Sequence, residues 1–111
     1  MQMNKELEKK FQDQITLEFA ASMVYRQLAI EADEQDLPGM SEWLRRQADE
    51  EIVHANKFIQ HLSDRDNHSN IGAIPAHTIK QGLSAAEIFE AALAHEQKVS
   101  ASMRDLYREA D

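Results

Sequence analysis

The chain has 111 residues, enough for one domain with a core that is possible but small. Three Gly and two Pro leave little material for turns, which excludes a loop-rich, collagen-like or many-stranded chain and points to long helices. Twelve Lys and Arg against 20 Asp and Glu give a net charge of -8, a surface that repels phosphate backbones, so nucleic acid is not an expected partner. With no Cys, disulfides, thiolate metal sites and catalytic thiols are excluded. The first residues, Met1-Gln2-Met3-Asn4-Lys5-Glu6, lead into no apolar run of signal-peptide length, and no stretch approaches the roughly 20 apolar residues of a membrane span. A cytoplasmic protein with no membrane partner is the expectation.

The spacing of apolar residues predicts a first helix from about Lys5 to Ala32, free of Gly and Pro, with Leu7, Phe11, Ile15, Ser22, Tyr25 and Ala29 along one stripe. Asp36-Leu37-Pro38-Gly39 breaks it. A second helix is expected from about Met40 to Asp64, with Leu44, Ala48, Ala55, Phe58 and Leu62 inward. Arg65 to Gly82 hold the remaining Gly residues, the other Pro and two Asn, and read as a loop. Ser84 then fits an N-cap, with Glu87 completing a capping box, and a third helix runs to the end on Ala85, Phe89, Leu93, Val99, Met103 and Leu106.

The connections say how these helices pack. The short link suits an antiparallel pair. The 18 residues from Arg65 to Gly82 can span roughly 60 Å when extended, against about 37 Å for a 25-residue helix. That connection can cross the whole bundle and start the third helix parallel to the second, as in bundles with a long crossover. Three helices leave one flank of the apolar face uncovered.

Each stripe also carries an acid where an apolar residue belongs. Glu18 lies between Ile15 and Ser22, Glu51 between Ala48 and Ala55, and Glu96 between Leu93 and Val99. Counted from the expected helix starts at Lys5, Met40 and Ser84, they stand 13, 11 and 12 residues in, so they meet at one level whichever way the helices run. His54 follows Glu51 by three and shares its face. A lone Glu-x-x-His on a helix is common by chance. Three carboxylates and an imidazole at matched depth are a different matter, because buried without compensation they repel and cost several kcal/mol each. Oxygen donors with one imidazole suit Fe(II), Mn(II) or Zn. A Glu from one helix and Glu-x-x-His from another is the di-iron pattern of carboxylate bundles. Tyr25, two turns from Glu18 on the same face, reads either as core or as a hydrogen-bond or electron-transfer partner of the site. Glu50, about 100° around the helix from Glu51, reads as a solvated residue or an outer metal ligand. His61, His68, His77 and His95 read as exposed or loop residues.

At this point the chain resembles the non-haem bacterial ferritins. The stretches that carry the resemblance are Leu17-Glu18-Phe19-Ala20-Ala21-Ser22 with Tyr25, and Trp43-Leu44-Arg45-Arg46-Gln47-Ala48-Asp49-Glu50-Glu51 with His54-Ala55. Leu62-Ser63-Asp64-Arg65 and Phe89-Glu90-Ala91-Ala92-Leu93 with His95-Glu96 continue it, from about Asn4 to Asp111. The resemblance implies an all-α, ferritin-like antiparallel bundle and a ferroxidase that stores iron. It implies a first iron held by Glu18, Glu51 and His54, a second bridged by Glu51 and held by Glu96, Tyr25 beside them, and Glu50 at a third, inward iron site. It also implies a homo-oligomer, a 24-subunit cage once further helices complete the chain. Bacterioferritins hold haem with a Met directly after the Glu of Glu-x-x-His. Here that residue is Ile52, so no haem is expected. Subunits of the family carry a fourth long helix and usually a short fifth, which supply further ligands and the uncovered flank.

Two other functions compete with iron oxidation. One is a non-catalytic helical module that binds metal without turnover. The other is a peroxide-reducing, rubrerythrin-like protein, which needs a second Glu-x-x-His and often four cysteines, features this sequence lacks.

Overall fold

The computed structural model describes residues 3–110. The described residues hold three α-helices, α1 (Lys5–Glu34), α2 (Pro38–Asp64) and α3 (Ala85–Ala110), with no strand among them. Asn4 caps α1 by accepting the Leu7 N–H at 2.7 Å. The α1–α2 link is tighter than the sequence suggested. Asp36 takes a left-handed φ of 56°, and the N–H groups of Leu37 and Asp36 return to the carbonyls of Ala32 and Asp33, a Schellman ending. Pro38, expected to lie in the break, instead opens α2, where its missing N–H costs nothing, and Gly39 sits inside the first turn. The second ending repeats the first, with Asp66 at φ 57° and Asn67 N–H on the Leu62 carbonyl. Ser84 and Glu87 form the expected capping box, at 3.0 and 3.2 Å. The third helix reaches Ala110, and Asp111 lies outside the described residues.

The crossover runs the length of α1, tied to it at successive heights. Asn67 Oδ1 accepts from Met3 N–H, Gln12 Nε2 donates to the His68 carbonyl, and Gly72 N–H donates to Thr16 Oγ1. Farther along, His77 Nε2 lies 3.4 Å from Gln27 Oε1, and Gly82 N–H donates to the buried Glu31 carboxylate at 3.1 Å. A 30-residue helix is about 45 Å long, so the connection delivers α3 to the end of the molecule where α2 also begins. The second and third helices are therefore parallel to each other and antiparallel to α1.

The first helix packs against both others, whereas α2 and α3 touch each other little. The inner faces of α1 and α2 follow the predicted stripes: Phe11, Ile15, Ser22, Tyr25 and Ala29, and Leu44, Ala48, Ala55, Phe58 and Leu62, are buried. On α3 the expectation needs correction. Its buried line is Ile88, Ala92, Val99 and Leu106, while Ala85, Phe89 and Leu93 are exposed. A helix that meets only one neighbour buries a narrow strip. Phe89 instead stands beside Met40, Trp43 and Leu44 of α2 in an open apolar hollow of about 320 Å³, the flank that three helices leave uncovered.

Candidate metal centre

The core is divided in two. One cluster holds Val24, Tyr25, Leu28, Leu44, Ile88 and Ala92, and the other holds Phe11, Ile15, Phe58, Leu62 and Leu106. The acids sit at the level between them. Phe11 closes that lower side, edge-on to Phe58 at 6.0 Å and stacked on His61 at 5.1 Å. On the other side Ser22 Oγ donates to the Ala48 carbonyl at 2.8 Å, fixing α1 against α2 one turn from the acids.

Glu18 and Glu51 are 0% and 2% exposed. His54 Nδ1 lies 3.6 Å from Oε2 of both carboxylates, and one donor atom from each of the three residues falls within 4.8 Å of the others. Those three atoms, Glu18 Oε2, Glu51 Oε2 and His54 Nδ1, have no hydrogen-bond partner. Burial, then the Glu18 carboxyl beside it, then the charges of Glu96 and Glu50 push the Glu51 carboxyl up to about 9. Without a cation the cluster therefore keeps a proton at neutral pH, because two adjacent buried carboxylates cannot both ionise. A divalent cation would displace that proton and give all three orphaned atoms a partner. Two oxygens and a nitrogen form the donor set of Fe(II), Mn(II) or Zn.

The remaining expected residues occupy different places. Glu96 is half-buried on α3 and accepts a 2.8 Å hydrogen bond from the Tyr25 hydroxyl, rather than joining the three-residue cluster. Tyr25 is fully buried, and its hydroxyl is held well above its ordinary value by burial, then by the Glu96 hydrogen bond and by the surrounding carboxylates. Glu50 is exposed and felt at Glu51 only through its charge. His61 stacks on Phe11, and burial lowers both it and the part-buried His95. A hollow of about 520 Å³ opens beside His54, lined also by Lys57, Phe58, His61 and Met103.

Two residues at the site escaped the sequence reading. Gln14, fully buried one turn before Glu18, donates to Glu18 Oε1 at 3.1 Å, and Ser102 of α3 donates to Gln14 Oε1 at 2.6 Å. The signal for Gln14 was there: it is polar, four residues before Glu18, in the same buried stripe.

Antiparallel α1 and α2, a crossover along α1 and a carboxylate–imidazole cluster at mid-bundle define the ferritin-like class of helical protein. The chain belongs to that family: the model of the Ferritin-like domain matches residues 8–111. The chain is 35% identical over 98 residues to a bacterial non-heme ferritin of Staphylococcus saprophyticus, covering 88% of this chain and 58% of that protein. To the counterpart from Staphylococcus haemolyticus it is 31% identical over 98 residues, with the same 88% and 58% coverage. The fold superposes on a crystal structure of a PmFTN variant soaked in iron with a TM-score of 0.90 at 30% identity, covering 96% of this chain and 68% of that one. The chain thus spans about three fifths of the length of the curated relatives it matches.

Proposed function

We propose that this chain takes Fe(II) as its substrate at Glu18, Glu51 and His54, oxidises it with O2 and passes the ferric product to a mineral store. The observation that carries the reading is the set of three buried donor atoms, from two helices, that converge without a hydrogen-bond partner. Glu51 adjoins the Glu18 carboxyl and feels the charge of Glu96, and in this reading it is the ligand shared by two ions. Two Fe(II) give up one electron each, so O2 gains two electrons and, with two protons, leaves as hydrogen peroxide without a one-electron radical product. Glu96, held by Tyr25, serves the second ion, and the exposed Glu50 serves the third, inward iron site. Further ligands come from outside the three helices, and storage requires a homo-oligomeric shell. Cytoplasmic residence fits this reading, and no helix among the described residues is long and apolar enough to cross a membrane.

A metal-binding module without turnover is the second reading, favoured by the open hollow beside His54. Stopped-flow mixing of apo protein with Fe(II) and air at mildly acidic pH separates the two. A fast ferric-oxo absorbance phase that saturates near about two Fe(II) per site supports the ferroxidase. Tight Fe(II) binding with no acceleration over a protein-free blank leaves the module, and no binding removes both.

A further inference from the structure

Glu18 uses its two oxygens differently. Oε2 faces His54 Nδ1 at 3.6 Å without a hydrogen bond, while Oε1 accepts from Gln14 Nε2 at 3.1 Å. A side-chain amide has a donor end and an acceptor end. In the observed orientation Gln14 turns its donor end toward Glu18 and its acceptor end toward the Ser102 hydroxyl, 2.6 Å away on α3. Flipping the amide would set its carbonyl oxygen against the Glu18 oxygen to which it now donates. It would also strip the Ser102 hydroxyl of the acceptor it now uses. Gln14 is itself 1% exposed, and its amide is satisfied by these two side chains. The polarity of the amide is thus set from α3 and delivered to a carboxylate on α1.

We infer that Gln14 and Ser102 are positioning residues that hold Glu18 Oε1 out of the metal centre and leave Oε2 as the single oxygen offered to the ion. The inference rests on the metal-centre reading above and gives two side chains a role in it. Partners of this kind tune both the geometry and the affinity of a metal ligand, and their loss costs about tenfold or more in metal affinity. Without the Gln14 N–H, Glu18 is free to rotate and present both oxygens.

The test uses Co(II) alone, whose visible absorption reports coordination, titrated into the apo chain. Gln14→Met, similar in volume but without the donor, is expected to weaken Co(II) binding about tenfold and to change the position and intensity of the visible bands, with helix content by circular dichroism unchanged. Ser102→Ala, at a half-buried position, is expected to leave helix content unchanged and to shift the bands in the same direction by less, and Ser102→Thr, which keeps the hydroxyl, to restore them. A spectrum and affinity within twofold of wild type in folded Gln14→Met and in Ser102→Ala overturn the inference while leaving the metal centre intact. Wild-type chain that takes up no Co(II), or whose spectrum survives Glu18→Ala, overturns the metal-centre reading itself and this inference with it.

Discussion

Tyr25 of α1 donates a 2.8 Å hydrogen bond to Glu96 of α3, at the level where the Glu18, Glu51 and His54 donors meet. Because burial and three nearby carboxylates hold the phenol well above its ordinary value, it remains a proton donor throughout the physiological range. The contact matters mechanically as well as chemically. The third helix meets little besides α1, and a bond from a fully buried ring is one of its few directional attachments.

Tyr25→Phe should therefore loosen α3. A hydrogen bond to a charged acceptor contributes about 1.5 to 3 kcal/mol, and the lower figure applies here because half-buried Glu96 can recover water. Urea unfolding of the apo protein should show a loss of about 1.5 kcal/mol with an unchanged m-value. A stability within a few tenths of wild type would mean that Glu96 finds another donor and that the Tyr25 bond is not what holds α3.

The pH dependence of stability should follow Glu51. Its folded value of about 9 lies above the ordinary 4.5 because burial, then Glu18, disfavours the charged form. The native state therefore holds a proton that the unfolded chain releases above the ordinary value. Stability is fully present at and below that value and is lost progressively as pH rises toward 9, with a slope of at most about 1.4 kcal/mol per pH unit. Thermal unfolding of metal-free protein should show the melting temperature falling from pH 5 to pH 9. Glu51→Gln, which fixes the neutral shape, should flatten that decline and melt above wild type at pH 8. A parallel decline in the variant would assign the effect to another group.

Much of this site was legible because its residues break a rule visible in one dimension. Glu18 and Glu51 occupy stripe positions that an apolar side chain fills elsewhere, and their burial follows from that placement. The convergence of His54 with Glu51 follows from a three-residue spacing on one helix. Glu96 and the inner face of α3 were harder, because the sequence states a helix's period but not how much of its circumference a neighbour covers. Phe89 and Leu93 have the right period for a core, and they stand exposed because α3 packs on one helix rather than two. Gln14 is visible in the sequence as a polar residue in the stripe, but its orientation becomes legible only when Ser102, 88 residues away, is seen to face it. The Schellman endings at Asp36 and Asp66 escaped for a simpler reason: Asp, rather than Gly, fills the left-handed position.

Metal binding should separate the two Glu residues that are adjacent in sequence. A ligand that binds only the folded state stabilises it by about 2.7 kcal/mol at a hundredfold excess over its dissociation constant. Saturating Zn(II) should raise the melting temperature of wild type and of Glu50→Ala alike, since Glu50 is exposed and turned away from the cluster. The same addition should leave His54→Ala and Glu51→Ala nearly unshifted, because each removes one of the three converging donors. In the oxidation assay, Glu50→Ala should keep its initial rate, whereas the other two should lose the fast phase. Equal metal-induced shifts in all three variants would place the ion elsewhere on the acidic surface.

Two glycines with empty space around them should respond to a methyl group with opposite signs. An added Cβ meets nothing within 4 Å at either Gly39 or Gly82, so packing does not decide either case. Gly82 holds a φ of 81° where the crossover turns into α3 and its N–H meets the buried Glu31 carboxylate. Alanine there takes a left-handed conformation that costs roughly 1 to 2 kcal/mol. Gly39 lies in the first turn of α2 with no such requirement. Alanine there restricts the unfolded chain and favours the helix, a gain of about 0.5 kcal/mol. Urea unfolding should show Gly82→Ala below wild type and Gly39→Ala above it. A Gly82→Ala protein as stable as wild type would mean that the crossover turn relaxes to an ordinary φ without losing its anchor on Glu31.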